Sequence, residues 1–153
     1  MRRCVGCGNR GFRNVTETLS AEFPTSRFTA SVGVPGRQCT KCKETYVAGS
    51  VKHDFELAVA RELANVGVHT GEAIRHMRKA LGLRASDLAQ LLDLTPETIS
   101  HWETGKVRIN RAAFVALGAM IQDASEGRTT TRDRLATLGD ERPYPRVLSP
   151  KLV

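Results

Sequence analysis

Apolar positions along this 153-residue chain follow two different rhythms. From Arg13 to Val34, Val15, Leu19, Phe23, Phe28 and Val32 stand among threonines and serines, and Pro24-Thr25-Ser26 divides the run in two. A β-branched and aromatic run with a turn signal in its middle predicts two strands joined as a hairpin. Farther on the rhythm becomes helical. Phe55, Val59, Leu63 and Val66 fall on one stripe of a helix over about 53–66, with Asp54 as its N-cap and Gly67 as its stop.

Four more helical segments are expected between residues 70 and 125. Thr70 and Glu72 open the first and Gly82 ends it; Ser86 to Leu92 form a short second helix with Leu88, Ala89 and Leu92 inward. Thr95 caps a third, which starts at Pro96 and ends at Gly105, and Asn110 caps a fourth with Phe114, Leu117 and Ile121 on one face. Arg132 to Leu138 offers a further helix. Pro143, Pro145 and Pro150 then exclude regular helix, so the last dozen residues are expected to be an extended or disordered arm. The predicted fold class is α+β, divided as a hairpin module over 1–48, a connecting helix over 49–69, an all-helical domain over 70–125, and a C-terminal helix and tail over 126–153.

The hairpin is framed by the chain's four cysteines, Cys4-Val5-Gly6-Cys7 before it and Cys39-Thr40-Lys41-Cys42 after it. Two residues between paired cysteines let both thiolates of a tight turn face one ion, and two such turns complete a tetrahedral all-sulfur site. Cys4, Cys7, Cys39 and Cys42 are therefore the expected ligands of a structural Zn²⁺, with iron as a minor alternative. No fourth position remains for a catalytic water. A module of about 45 residues is too small to bury an adequate core, and a metal staple makes up the difference. The order knuckle, hairpin, knuckle is that of a zinc ribbon.

Charge is unevenly spread. The chain carries a formal +7, and residues 1–46 hold eight Lys/Arg against three Asp/Glu while residues 72–125 hold seven against six. Four thiolates around Zn²⁺ add about −2 to the first segment, and the remaining basic excess favours a polyanionic or acidic partner. No segment approaches the ~18 apolar residues of a membrane span, and the N-terminus lacks the apolar core of a signal peptide, so a cytoplasmic protein is expected. His53, His69, His76 and His101 have neither mutual spacing nor a nucleophile and acid beside them, so no catalytic residues are expected.

Two short helices joined at Asp93-Leu94-Thr95 are what a helix-turn-helix requires, the first bracing across the DNA backbone and the second lying in the major groove. The stretch from Ile74 to Lys106 resembles the Cro and lambda-repressor class of DNA-binding domains, with Leu83, Leu88, Ala89, Ile99, Trp102, Glu103 and Gly105 at the family spacing. Ala89 is small enough for close helix approach, Ile99 and Trp102 form the inner face of the second helix, and Gly105 permits its final turn. The resemblance implies a semi-buried ion pair between Arg78 and Glu103. It also implies that Glu97 and His101 face base edges, with Thr95, Thr98 and Ser100 nearer to backbone or water. A plainer role for Glu97 is that of a favourable charge at a helix N-terminus. Lys106, Arg108 and Arg111 are expected to contact phosphates, with Arg84 a further candidate. Ala85 departs from the class, standing where many members place a polar phosphate-contacting residue.

Taken together, Cys4-x-x-Cys7, Val34-Pro35-Gly36-Arg37-Gln38-Cys39-x-x-Cys42 with Glu44, and the helix-turn-helix after a short connector resemble the MqsA antitoxin family, whose N-terminal part is a YgiT-type zinc finger. The resemblance covers residues 4 to about 124. It implies a structural zinc domain able to hold a ribonuclease-type toxin, and a C-terminal domain that dimerises and represses its own operon. The expected function is that of a sequence-specific transcriptional regulator binding a palindromic double-stranded operator as a homodimer. The alternatives are a protein-interaction module that sequesters a nuclease or acidic partner, and a stand-alone regulator without a toxin.

Overall fold

The computed structural model describes residues 3–140, 143, 146, 147 and 149–151. Half of the arm expected from residue 142 lies outside the described residues. Two long strands, β1 (Phe12–Phe23) and β2 (Phe28–Cys39), pair antiparallel from Phe12↔Cys39 to Phe23↔Phe28. A two-residue strand β3 (Thr45–Tyr46) adds to β2 at Arg37 and Gln38, giving the order β1-β2-β3. Six helices follow: α1 (Gly49–Val66), α2 (Gly71–Ala80), α3 (Ala85–Leu91), α4 (Pro96–Glu103), α5 (Arg111–Ser125) and α6 (Thr130–Leu138). The class is α+β.

Alternation decides which face of the hairpin is apolar. Val15, Leu19, Ala21 and Phe23 of β1 share a face with Phe28, Ala30, Val32 and Val34 of β2, while Thr16, Thr18, Ser20 and Glu22 point outward. The strands run past the expected limits, because β2 continues through Pro35 and Gly36 to Cys39. Pro35 is tolerated where β2 has β1 as its one strand neighbour, since an absent N–H on an open edge breaks no ladder bond. Twelve residues per strand make the hairpin about 36 Å long at ~3.3 Å per residue, separating the cysteines from its tip.

That tip is docked on the helices. Phe23 is buried, stacks on Phe28 at 4.8 Å between ring centroids and meets the edge of His76 on α2 at 5.3 Å. The Ser26 amide donates to Glu72 Oε1 at 2.8 Å, and the Ser26 and Thr70 hydroxyls lie 2.9 Å apart at the start of α2.

Helix α1 differs from its expected form. It begins at Gly49, so Asp54 lies inside the helix and Ala48 is the N-cap. Leu57, Val59, Ala60 and Leu63 are its buried residues, whereas Val66 is 75% exposed. The single stripe inferred from Phe55, Val59, Leu63 and Val66 was displaced because α1 packs in two directions, against α2 and α5 on one side and along the hairpin on the other. Gly67, at φ 80°, ends it by donating to the Leu63 and Ala64 carbonyls. The main core then runs through Ile74, Met77, Leu88, Ile99, Leu117 and Ile121, all fully buried. Helix α6 rests on α5 and α3, its start held by the buried Asp123, whose Oδ2 accepts from the Thr131 amide at 2.7 Å.

Candidate metal centre and nucleic-acid interface

The two cysteine knuckles are built alike. In each, the first cysteine's carbonyl accepts from the amide four residues on (Gly8 to Cys4 at 2.9 Å, Lys43 to Cys39 at 3.1 Å). Its own amide donates to the carbonyl five residues on (Cys4 to Asn9 at 2.8 Å, Cys39 to Glu44 at 2.9 Å). The fourth-residue position has positive φ in both, 71° at Gly8 and 64° at Lys43. Glycine adopts that conformation freely and lysine at some strain, so the knuckle geometry is imposed on Lys43 by its surroundings.

The knuckles bring all four sulfurs within 4.8 Å of one another. Cys4 Sγ lies 3.4 Å from Cys42 Sγ, and Cys7 Sγ 3.6 Å from Cys39 Sγ. A tetrahedron of sulfurs ~2.3 Å from a central zinc has edges of about 3.8 Å, so the donor set and its spacing fit a four-thiolate ion. The identity of the metal does not follow from spacing alone, because iron takes the same ligands. Such an ion would be held by Cys4, Cys7, Cys39 and Cys42 and would join the two ends of the hairpin module.

Side chains around the sulfurs were not legible in the cysteine spacing. Asn9 Nδ2 donates to Cys39 Sγ at 3.4 Å, and the Tyr46 hydroxyl lies 3.1 Å from Cys4 Sγ while accepting from the Val5 amide at 3.1 Å. The one proton of that hydroxyl lies between two acceptors, Cys4 Sγ and Glu44 Oε2, the latter at 2.7 Å, and the Tyr46 ring is set edge-on against Phe12. The hydrogen bond from Tyr46 holds the Cys4 thiol below its ordinary pKa. Burial opposes ionisation of Cys39, yet hydrogen bonds from Asn9 and from the Cys42 and Lys41 amides draw it down to about 6. A backbone hydrogen bond from Glu44 favours the Cys42 thiolate, but the neighbouring sulfurs of Cys4 and Cys7 prevail and push it up to about 12. Four thiolates cannot share this space as bare anions, and a divalent cation at their centre removes the conflict.

At the other end of the hairpin, α3 and α4 form a tight pair. Thr95 caps α4, its Oγ1 accepting from the Thr98 amide at 3.3 Å, and Pro96 takes the first helical position. Asp93, at φ 54°, turns the chain between the helices. Ile99 and Trp102 are buried, which leaves Thr95, Glu97, Ser100 and His101 exposed and Thr98 half-buried on the outer face. Arg78 of α2 grips Glu103 through two nitrogens, Nε to Oε1 and Nη2 to Oε2 at 3.0 Å, and donates from Nη1 to the Leu83 carbonyl at 2.7 Å. Residues 69–122 match the family model of a helix-turn-helix domain. No curated protein and no solved structure matches the chain.

Within this helix-turn-helix domain, Lys106, Arg108 and Arg111 are exposed between α4 and the first turn of α5. Arg84 differs from them in being engaged: it precedes α3 and pairs with Asp87, Nη2 to Oδ1 at 2.9 Å, so it reaches a phosphate only by leaving that carboxylate. Two residues absent from the sequence reading fix the domain. Arg75 adds a second cation to Glu103 at 3.2 Å. At Gly71 a Cβ would come within 2.8 Å of the Trp102 carbonyl oxygen and closer still to that of Glu103, so the start of α2 abuts the end of α4. A glycine opening a helix carries no sequence signal for such an approach, although the Arg78–Glu103 spacing does.

Proposed function

We propose that the chain is a sequence-specific transcriptional regulator that reads a palindromic operator as a homodimer through its helix-turn-helix domain. The observation that carries this reading is the outer face of α4. The exposed Thr95, Glu97, Ser100 and His101 are polar and able to hydrogen-bond, and they are followed by three exposed basic residues, Lys106, Arg108 and Arg111. Glu97 and His101 are assigned to base edges, Thr95, Thr98 and Ser100 to backbone or water, and the basic residues with Arg84 to phosphates. Two half-sites about one helical turn apart offset the modest charge of a single domain.

In this reading residues 1–48 form a zinc ribbon whose Zn²⁺ is structural, 49–69 connect, 70–125 bind DNA, and 126–153 add a C-terminal helix and tail. The resemblance of the cysteine knuckles and Glu44 to the MqsA family supports a narrower role: a cytoplasmic, antitoxin-like autorepressor whose zinc ribbon holds a ribonuclease-type toxin. Selection from random duplex DNA with the zinc-loaded chain tests the DNA reading, and recovery of a two-fold symmetric site is the expected result. Enrichment of no sequence would leave the chain as a partner-sequestering module. Co-purification of a small nuclease encoded beside it tests the antitoxin role separately.

A further inference from the structure

Helix α6 lies beyond the 69–122 stretch that matches the helix-turn-helix family, yet it is fixed to that domain. The buried Asp123 accepts the Thr131 amide at 2.7 Å, Leu135 packs against the main core, and α6 touches both α5 and α3. Arg132 thereby comes to the turn that leads into α3, where it lines a cavity of about 120 Å³ together with Leu81 and Leu83. Arg134, about 200° farther round the helix, lines a separate hollow with Thr130 and Thr137.

The first helix of a helix-turn-helix crosses the DNA backbone, so α3 and the turn before it approach phosphates. Two features of the chain oppose that approach. Ala85 carries no side-chain donor, and Asp87 is an acid that receives the Arg84 amide at 2.8 Å and the Arg84 guanidinium at 2.9 Å, which leaves this turn without net charge. We propose that Arg132 supplies the missing cation by contacting a DNA phosphate beside α3, and that α6 is thus an added part of the DNA-backbone interface. Arg132 is exposed and makes no hydrogen bond or ion pair with the described residues, so its planar fork is open to a phosphate. Arg128, one turn earlier, is held by Asp123 and Glu126, and Asp133, the acid next to Arg132, accepts the Thr129 hydroxyl at 2.6 Å. Asp87 senses both cations. Hydrogen bonds from the Arg84 side chain and amide, and then the charges of Arg84 and Arg132, hold it below the ordinary carboxylate value of 3.8 against the effect of burial. With two cations near one carboxylate, Arg84 can leave Asp87 for a phosphate without leaving that acid unopposed.

The proposal rests on the DNA-binding reading, and its test separates the two. Binding of the full zinc-loaded chain to its own promoter duplex, and to a random-sequence duplex of equal length, is measured across a salt series. Arg132→Ala is expected to lower the salt slope by about one on both duplexes, with circular dichroism and the discrimination between the duplexes unchanged. Arg132→Lys should restore most of the slope, and Arg134→Ala should leave it at the wild-type value. The loss should persist in an Asp87→Asn background, where the side chain can still accept the Arg84 amide without a charge; its disappearance there would mean that Arg132 acts on Asp87 alone and would overturn the phosphate contact. A slope untouched by Arg132→Ala, or lowered as much by Arg134→Ala, would overturn it too. Equal binding of the two duplexes by the wild type, with the Arg132→Ala effect intact, would instead remove the sequence-specific reading and leave the α6 contact standing. A wild type that bound neither duplex would overturn both.

Discussion

The guanidinium of Arg78 forks onto the carboxylate of Glu103, joining α2 to the last residue of α4 with both side chains nearly buried, 11% and 6% exposed. The pair is asymmetric in its support. Glu103 retains Arg75 when Arg78 is removed, whereas Arg78 without Glu103 keeps the neutral Leu83 carbonyl as an acceptor and no opposite charge among the described residues. Glu103→Leu is therefore expected to destabilise by about 3–5 kcal/mol and Arg78→Leu by less, because the cost of breaking a buried pair is the charge left behind. The double variant should fall short of the sum of the two. Chemical denaturation of the four species of the cycle checks this, and strict additivity would mean that the pair is not coupled.

Gly71 yields a second expectation. A methyl group there meets backbone oxygens of Trp102 and Glu103 that cannot rotate away, so Gly71→Ala should cost about 1–3 kcal/mol despite alanine's better helix propensity. Gly49, which also opens a helix and has open space around it, should be improved or unaffected by the same change. Thermal unfolding of both variants makes the comparison.

Removal of a metal held by the four sulfurs should divide the hairpin. The knuckle end depends on the four sulfurs, while the far end is anchored by Phe23 and by Ser26 on Glu72. Chelation, or Cys39→Ser, is expected to release one metal ion per chain and to abolish amide protection from Phe12 to about Thr16, with the Phe23 end and the helices still protected. Hydrogen exchange read residue by residue checks it, and unchanged protection at Phe12 would contradict the metal assignment.

Acid should loosen α6. Hydrogen bonds from the Thr131 amide and hydroxyl, and then the charge of Arg128, hold Asp123 below the ordinary carboxylate value of 3.8. A group whose folded pKa is depressed stabilises fully above the unfolded value and ceases to do so as pH falls through the folded one. Amide exchange in α6 should therefore accelerate below about pH 4. Asp123→Asn should speed it at neutral pH and remove that acid dependence.

Much of this arrangement was legible because it is local. The CxxC pairs, the Thr95 and Asn110 caps and the Gly67 and Gly105 stops act over a few residues, so the clustering of the four sulfurs, the starts of α4 and α5 and the end of α1 could be read directly. The length of β2 was hidden by Pro35 and Gly36, which break a strand pattern without breaking an open-edged strand. The two-faced packing of α1 escaped because a stripe of apolar residues does not say how many neighbours the helix has. Asn9, Tyr46, Gly71 and Asp123 escaped because their partners are chosen by tertiary approach.

The most direct test of the central claim is a mobility shift with the chain's own promoter DNA across a salt series, comparing wild type with His101→Ala and Lys106→Ala. Specific binding by the wild type is expected, with a loss of about 1–3 kcal/mol of sequence discrimination on His101→Ala. Lys106→Ala should weaken all sequences alike and lower the salt slope by about one. Equal binding of specific and random DNA by the wild type, or discrimination untouched by His101→Ala, would contradict the assignment of α4 as the sequence-reading helix.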